Sequence, residues 1–170
     1  MHNSQTRKVI FIGAVLLMIG LCRQAFAGNA GDQGFGIMFG NPTGVTGKYW
    51  LDDVWALDGA LGADRGEFDV HMDFLWHNEE FLGQHNLLPK DLDAKVPVYL
   101  GAGARVLFAD KAEFGIRFPV GVSVLPNNTD WEFFGEFAPV LRVTPDVGIN
   151  ADYALGVRYY FRAIHAKDSK

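Results

Sequence analysis

From Gln33 to Phe161 the chain alternates large apolar residues with glycine and charged residues at a period of two. That period is typical of β-strands whose two faces meet different surroundings, and a helical period is not seen in this region. Short runs of Gly, Pro, Asn and Asp divide the alternating region into segments. Eight segments result, at 33–40, 45–51, 54–62, 67–77, 95–108, 112–125, 131–142 and 147–161.

One face of these segments is almost wholly apolar, as in Phe35-x-Ile37-x-Phe39, whereas the other carries glycine and charge. The interior of an eight-stranded barrel is only just wide enough to be filled by side chains, so it cannot hold the large apolar face. We therefore predict an all-β fold, an eight-stranded antiparallel up-and-down transmembrane β-barrel with its apolar face toward lipid. A soluble lipid-binding barrel of the lipocalin type, with the faces reversed, is the alternative.

The strand length agrees with a membrane span. A strand of about 10 residues, at ~3.3 Å per residue and tilted by roughly 45°, rises about 23 Å. Outer-membrane barrels carry an apolar band about 25 Å tall. Closure is also required there, because an open sheet edge would leave unpaired backbone groups in lipid.

Aromatic residues cluster near both ends of the predicted strands, as expected for two membrane interfaces. If both termini face the periplasm, one belt falls at the periplasmic rim: Phe35, Tyr49, Trp55, Trp76, Trp131, Tyr159 and Phe161. The other falls at the opposite rim: Phe39, Phe68, Phe108 and Phe114.

The first 27 residues have the pattern typical of a secretory signal peptide. Arg7 and Lys8 precede an apolar run at 9–22, and Ala25-Phe26-Ala27 forms a small-x-small cleavage site. Cleavage would remove three basic residues and the single cysteine, taking the formal net charge from −5 to −8. We predict a leader at 1–27, a barrel at 28–161 and a polar tail at 162–170. Such an acidic chain is not expected to bind nucleic acid.

The inward face carries acidic and basic residues in nearly equal number. Because unpaired buried charges are costly, we expect them to form a network of ion pairs that closes the lumen. A gated pore is the alternative. The predicted network comprises Lys48, Asp58, Asp69, His71, Asp73, Arg105, Glu113, Arg117, Glu132, Glu136, Asp152 and Arg158, with Lys95, Arg142 and His77 on the same face.

Asp69, His71, Asp73 and His77 share one strand face and could suggest a metal or acid–base site. Residues on one face of a strand lie nearly 7 Å apart (about twice the rise per residue), so a single strand cannot supply the converging ligands of a metal site. A His–Ser pair of the lipid A deacylase type would need a serine at 73, where the chain has Asp73. We predict no catalytic residue, no metal and no cofactor.

Several motifs resemble those of a family of small, largely uncharacterised bacterial outer-membrane barrels, which is similar to the OmpA-like transmembrane domain. These motifs lie at 40–50 (GNPTGVTGKYW), 56–58 (ALD), 97–105 (PVYLGAGAR), 136–141 (EFAPVL) and 156–161 (GVRYYF). The resemblance implies an eight-stranded barrel in a Gram-negative-type envelope and no catalytic residue. The last motif resembles the C-terminal signal that the outer-membrane assembly machinery recognises. This resemblance implies that Gly156, Tyr159 and Phe161 form the assembly signal.

Together these observations predict a monomeric, non-enzymatic outer-membrane barrel for envelope structure or surface interaction. Its expected partners are outer-membrane lipid and the assembly machinery. A lipid-modifying enzyme built around His71 and a narrow solute channel remain alternatives. The polar connection at 78–94 is long for a periplasmic turn. We expect a short amphipathic helix there, across the periplasmic mouth, with Phe81, Leu82, Leu87 and Leu88 touching the rim.

Overall fold

The computed structural model describes residues 28–89 and 91–161; the predicted leader and tail lie outside the described residues. Strands dominate, in agreement with the period-two pattern. The elements are β1 (Gln33–Asn41), β2 (Thr43–Trp50), β3 (Trp55–Asp64), β4 (Glu67–Asn78), α1 (Glu80–Gln84), β5 (Ala94–Lys95), β6 (Val98–Phe108), β7 (Glu113–Arg117), β8 (Val120–Pro126), β9 (Trp131–Thr144) and β10 (Gly148–Phe161).

The strands close into one antiparallel barrel. β5 and β6 are parts of one barrel strand, as are β7 and β8, so ten short elements make eight barrel strands. Each barrel strand pairs with its neighbours in the chain, and β10 pairs with β1 over the whole length of β1, from Gln33↔Phe161 to Asn41↔Tyr153. The predicted closed eight-stranded antiparallel up-and-down barrel is confirmed.

The two interruptions coincide with prolines. Pro97 separates β5 from β6 and Pro119 separates β7 from β8, because proline has no N–H to donate to the ladder. The wall stays hydrogen-bonded across both breaks: Gly101 N donates to Pro119 O at 2.9 Å, and Ser123 N donates to Pro97 O at 2.9 Å.

The register around the barrel sets the strand tilt. A line of paired residues that starts at Tyr159 on β10 returns to the same strand at Ile149, ten residues away. A stagger of this kind accompanies strand tilts of about 35–45°. Because the offset is even, residues that face inward on one strand meet inward residues on the next.

The large apolar side chains lie on the outside. Met72 is 65% exposed and Leu155 is 71% exposed, whereas Lys48, Asp69 and Arg117 are buried inside. The reversed arrangement of a soluble lipid-binding barrel is therefore not the one adopted. Val96 differs from these outward apolar residues: it lies just before Pro97 and is buried.

We call the end of the barrel that holds Gln33 and Phe161 the terminal mouth, and the other end the opposite mouth. Turns at the opposite mouth are short, and the longest connection joins β4 to β5 at the terminal mouth. It contains the five-residue α1. Within residues 28–89 and 91–161, no helix is long and apolar enough to cross a membrane.

Inward glycines make room for the rings that fill the barrel. A Cβ atom at Gly121 would lie 2.3 Å from the Tyr99 ring and 2.6 Å from the Gly135 carbonyl oxygen. A Cβ atom at Gly156 would lie 2.3 Å from the Phe134 ring. At outward-facing Gly47 the nearest atom would be 3.5 Å away, an ordinary contact. Inward glycine is therefore a steric requirement of this interior.

We expect Gly121→Ala to lower the free energy of unfolding by about 1–3 kcal/mol, the usual cost of overpacking. Gly47→Ala is the matched control, since it adds the same methyl group on the outer face. The measurement is urea unfolding of the two variants and the parent, each folded into the same lipid vesicles. Equal effects of the two substitutions would contradict the steric account.

Candidate functional site: the barrel interior

The buried charges of the interior form two clusters, each held by side chains at inward positions of several strands. The Glu132 cluster comprises Lys48, Asp58, Glu132 and Arg158. The Arg117 cluster comprises Asp64, Asp69, Asp73, Arg105, Arg117, Glu136 and Asp152.

Glu132 accepts four hydrogen bonds although it is fully buried. Lys48 Nζ lies 2.8 Å from its Oε1, and the Ser123 hydroxyl donates to the same oxygen at 2.5 Å. Arg158 Nη1 at 3.2 Å and the Tyr160 hydroxyl at 2.9 Å donate to Oε2. Both carboxylate oxygens are satisfied, which is the condition for burying a charge at tolerable cost.

Arg158 uses its guanidinium in three ways. Its Nη2 lies 2.7 Å from Asp58 Oδ2, and both Nε and Nη2 donate to Thr46 Oγ1, at 3.1 and 2.7 Å. The guanidinium carbon also lies 3.9 Å from the centre of the Phe134 ring. Lysine could not make these contacts, because its ammonium group lacks the planar arrangement of N–H donors that lets the guanidinium bind an acid and stack on a ring at once.

A layer of rings lies between the Glu132 cluster and the terminal mouth. The Trp50 indole N–H donates to the Tyr160 hydroxyl at 3.2 Å, and the Trp50 ring lies 4.4 Å from the His77 ring. The Tyr99 ring follows, 5.2 Å from His77. Lys48 Nζ lies within 5.4 Å of the Trp50 and Tyr99 ring centres. All four rings, of Trp50, His77, Tyr99 and Tyr160, are buried.

The Arg117 cluster is built on two arginines that share one acid. Arg117 contacts Asp73, Glu136 at 2.5 Å and Asp152 at 3.1 Å. Arg105 reaches the same Asp152 at 3.1 Å. Asp152 thereby connects strands β6, β7 and β10 through charge-assisted contacts.

Arg105 holds the remaining acids of this cluster. It contacts Asp64, and its Nε lies 2.5 Å from Asp69 Oδ2. His71 Nδ1 lies 3.4 Å from the other Asp69 oxygen, and His71 is itself buried. His71 therefore faces the lumen beside an acid that is already bound to an arginine.

Within these two clusters, seven carboxylates share four cationic side chains. From the sequence, nearly equal numbers of acidic and basic residues were expected in the lumen, because Lys95 and Arg142 were counted among its basic residues. Lys95 instead pairs with Glu79 at 3.4 Å near the terminal mouth, and Arg142 pairs with Glu113 at 3.2 Å at the opposite mouth, both partly exposed. The predicted network residue Glu113 thus lies at the rim of the lumen, apart from both clusters.

Several residues of the interior were not predicted from the sequence. Asp64 was assigned to a turn, and the polar partners Thr46 and Ser123 were not singled out. The ring layer was also missed, apart from His77. Most of them could have been found by counting, because side chains an even number of residues apart on a strand lie on the same face. Asp64 is six residues from Asp58, and Trp50 and Tyr160 are each two residues from an inward charge, Lys48 and Arg158. The rings were overlooked because large apolar residues were assigned to the outer face, and Asp64 was overlooked because it was assigned to a turn.

The seven aromatics predicted for one rim all lie on the outer face toward the terminal mouth, and we call them the terminal girdle. Neighbouring rings touch: Phe35 and Phe161 are 6.3 Å apart between centres, Trp131 and Tyr159 are 5.1 Å apart, and Tyr159 and Phe161 are 5.3 Å apart. Its members are Phe35, Tyr49, Trp55, Trp76, Trp131, Tyr159 and Phe161. The predicted assembly-signal residues Tyr159 and Phe161 belong to it, and Gly156 packs on Phe134 inside.

The terminal mouth contains a shallow cavity of about 220 Å³. Trp50 and Tyr160 line it on the barrel side, and Asn29, Lys95 and Asn127 are among the other lining residues. Neither cluster contributes a side chain to this cavity. Among residues 28–89 and 91–161, no group of three or more His, Cys, Asp or Glu residues has a metal-binding arrangement.

We expect Arg117→Met to lower the free energy of unfolding by about 3–5 kcal/mol, because it leaves three buried acids without their shared cation. Arg142→Met, at the partly exposed pair with Glu113, should cost less than about 1 kcal/mol. Urea unfolding in lipid vesicles measures both. A small, equal effect of both substitutions would show that the Arg117 cluster contributes little to stability.

Comparison with known proteins supports the fold. No family model matches the chain, and no curated protein matches it. Among solved structures, the chain is similar to the N-terminal β-barrel domain of OprF from Pseudomonas aeruginosa, with a TM-score of 0.53 and 11% sequence identity. The match covers 79% of this chain and 100% of the OprF domain. At this identity the likeness establishes a shared barrel fold.

Proposed function

We propose that this protein is a small, non-enzymatic outer-membrane β-barrel that serves envelope structure or surface interaction, with a lumen closed by its buried side chains. The observation that carries the proposal is the outer surface. Thirty-one large hydrophobic side chains of the described residues are exposed. Burying one such side chain is worth about 1.5–3 kcal/mol. An apolar surface of this extent on a closed barrel is suited to lipid and poorly suited to water.

The location in the outer membrane is supported by three independent features. The sequence predicts a cleaved export signal at 1–27. The chain forms a barrel in which every wall strand has two neighbours, which is what lipid requires of a β-protein. Its motifs also resemble those of outer-membrane barrels, and the β10 ending resembles the signal for their assembly machinery. The partners we propose are therefore outer-membrane lipid and that machinery, with the barrel acting as a monomer.

A closed lumen is favoured over a solute channel by the way the interior is filled. The ring layer and the Glu132 cluster stand one behind the other, and both are fully buried. Aqueous channels belong to barrels of about 16 strands, in which the interior is much wider.

The lipid-modifying enzyme is not favoured by the contacts of its candidate residues. His71 lies against Asp69 inside the barrel, and the Ser123 hydroxyl is held by Glu132. An enzyme acting on lipid would need a nucleophile or base that the substrate can reach. We therefore assign these two side chains to the packing of the interior.

We expect the protein to fractionate with the outer membrane and to run faster on SDS gels when unheated than after boiling. A closed barrel keeps its compact form in SDS until heat breaks the strand pairing. The measurement is gel mobility of the membrane fraction with and without boiling, and a soluble periplasmic protein is the control for leakage. Recovery of the mature protein in the soluble fraction, without a mobility shift, would overturn the proposal.

We also expect the purified protein to give no steady conductance in planar lipid bilayers, because the ring layer and the Glu132 cluster occlude the lumen. A 16-stranded porin inserted under the same conditions serves as the positive control. Regular unitary conductance steps from the purified barrel would contradict the closed lumen and favour the solute-channel alternative.

A further inference from the structure

The terminal girdle is incomplete. Its seven aromatics come from six consecutive barrel strands, from β9 through β10, β1, β2 and β3 to β4. The two remaining barrel strands carry aliphatic residues at this end of the outer face. These are Val98 and Leu100 on β6, and Val122 and Val124 on β8. The rim above these two strands thus lacks the amphipathic rings that hold the rest of the barrel at a membrane interface.

The long connection between β4 and β5 is attached beside this gap. It leaves β4 at Asn78, whose side-chain oxygen accepts the Phe81 N–H at 2.7 Å. It returns at Asp93, which accepts the side-chain amides of Asn127 at 2.7 Å and Asn128 at 3.0 Å in the β8–β9 turn. β5 then pairs with the end of β8. The described residues of this segment, 80–89 and 91–93, are therefore tethered to the rim at β4 on one side and at β8 on the other.

A salt bridge closes the base of this connection. Glu79 and Lys95 lie 3.4 Å apart, so the two ends of the segment are held together at the rim. Both ends of the segment therefore lie at the rim around β5, which continues into β6 and pairs with β8, where the girdle has its gap.

The segment exposes large apolar side chains. Phe81 is 39% exposed, Leu87 is 64% exposed and Leu92 is 41% exposed. Three such side chains within a stretch of twelve residues, on a segment pinned to the rim, have no apolar partner sufficient to cover them in the described part of the barrel. They belong to a segment whose two ends lie at the rim where the girdle has its gap.

We propose that the β4–β5 connection, described at residues 80–89 and 91–93, forms an interfacial anchor in which Phe81, Leu87 and Leu92 insert among the lipid headgroups and upper acyl chains beside β6 and β8. The anchor takes the place of the missing aromatics and completes the contact of the terminal mouth with the bilayer. Its partner is the phospholipid surface. The inference rests on the proposed membrane location of the barrel.

The first test places an environment-sensitive NBD label at single cysteines, in a background with Cys22→Ser, and folds the protein into phosphatidylethanolamine/phosphatidylglycerol nanodiscs. Leu87→Cys reports on the segment, Phe133→Cys on the barrel wall, and Asp110→Cys on an exposed turn at the opposite mouth. Lipids with a nitroxide near the headgroup should quench the Leu87 label at least twofold more than the Asp110 label. Lipids with a nitroxide deep in the chain should quench the Phe133 label most.

The labels distinguish failure of the interfacial anchor from failure of the proposed membrane location. A Leu87 label quenched no more than the Asp110 label, while the Phe133 label is quenched, would overturn the anchor and leave the barrel in the membrane. A Phe133 label without quenching would overturn the membrane location itself.

A second test compares two triple variants in the same nanodiscs. F81S/L87S/L92S should leave the heat-dependent gel shift intact but make residues 80–93 at least fivefold more susceptible to protease. E80S/Q84S/D91S, which changes polar residues of the same segment, should be cleaved as slowly as the parent. Equal cleavage of the two variants would overturn the anchor.

Discussion

The narrow interior of an eight-stranded barrel is the constraint on which the rest of this structure depends. Space inside admits only glycine, small residues and a limited set of larger side chains, so the bulky apolar residues must lie outside. Interior rings such as Tyr99 and Phe134 fit because glycine faces them from a neighbouring strand. The exposed apolar surface, and with it the proposed membrane location, follows from this limit on volume.

A second consequence of the narrow interior is that its buried charges must form ion pairs with one another. Each arginine in the lumen reaches acids from at least two other strands, as Arg117 does with Asp73 and Asp152. Such contacts specify which strands meet at which height, since a buried charge without its partner is strongly destabilising. The excess of carboxylates over cations makes each arginine the centre of several contacts. Loss of one arginine is therefore expected to matter more than loss of one acid.

The terminal mouth brings the proposed closure of the lumen and the proposed membrane contact together in one place. On the inside, the Trp50 indole donates a hydrogen bond to the Tyr160 hydroxyl, which in turn donates to Glu132. On the outside, the terminal girdle covers six barrel strands, and the proposed anchor at 80–93 covers the other two. The long connection, unusual for a periplasmic turn, thereby acquires a physical role.

Alternation along each segment and the total volume of the apolar side chains can be read from the sequence, and they suffice to predict the strand number, the antiparallel topology and the direction of each face. Alternation also identified most charged residues of the lumen. The folded barrel sets which of those charges pair, brings Asp64 among them and leaves Lys95 and Glu113 near the mouths. The reason is that partners such as Lys48 and Glu132 lie on strands far apart in the chain, and the barrel's stagger, which alternation does not encode, sets the height at which they meet.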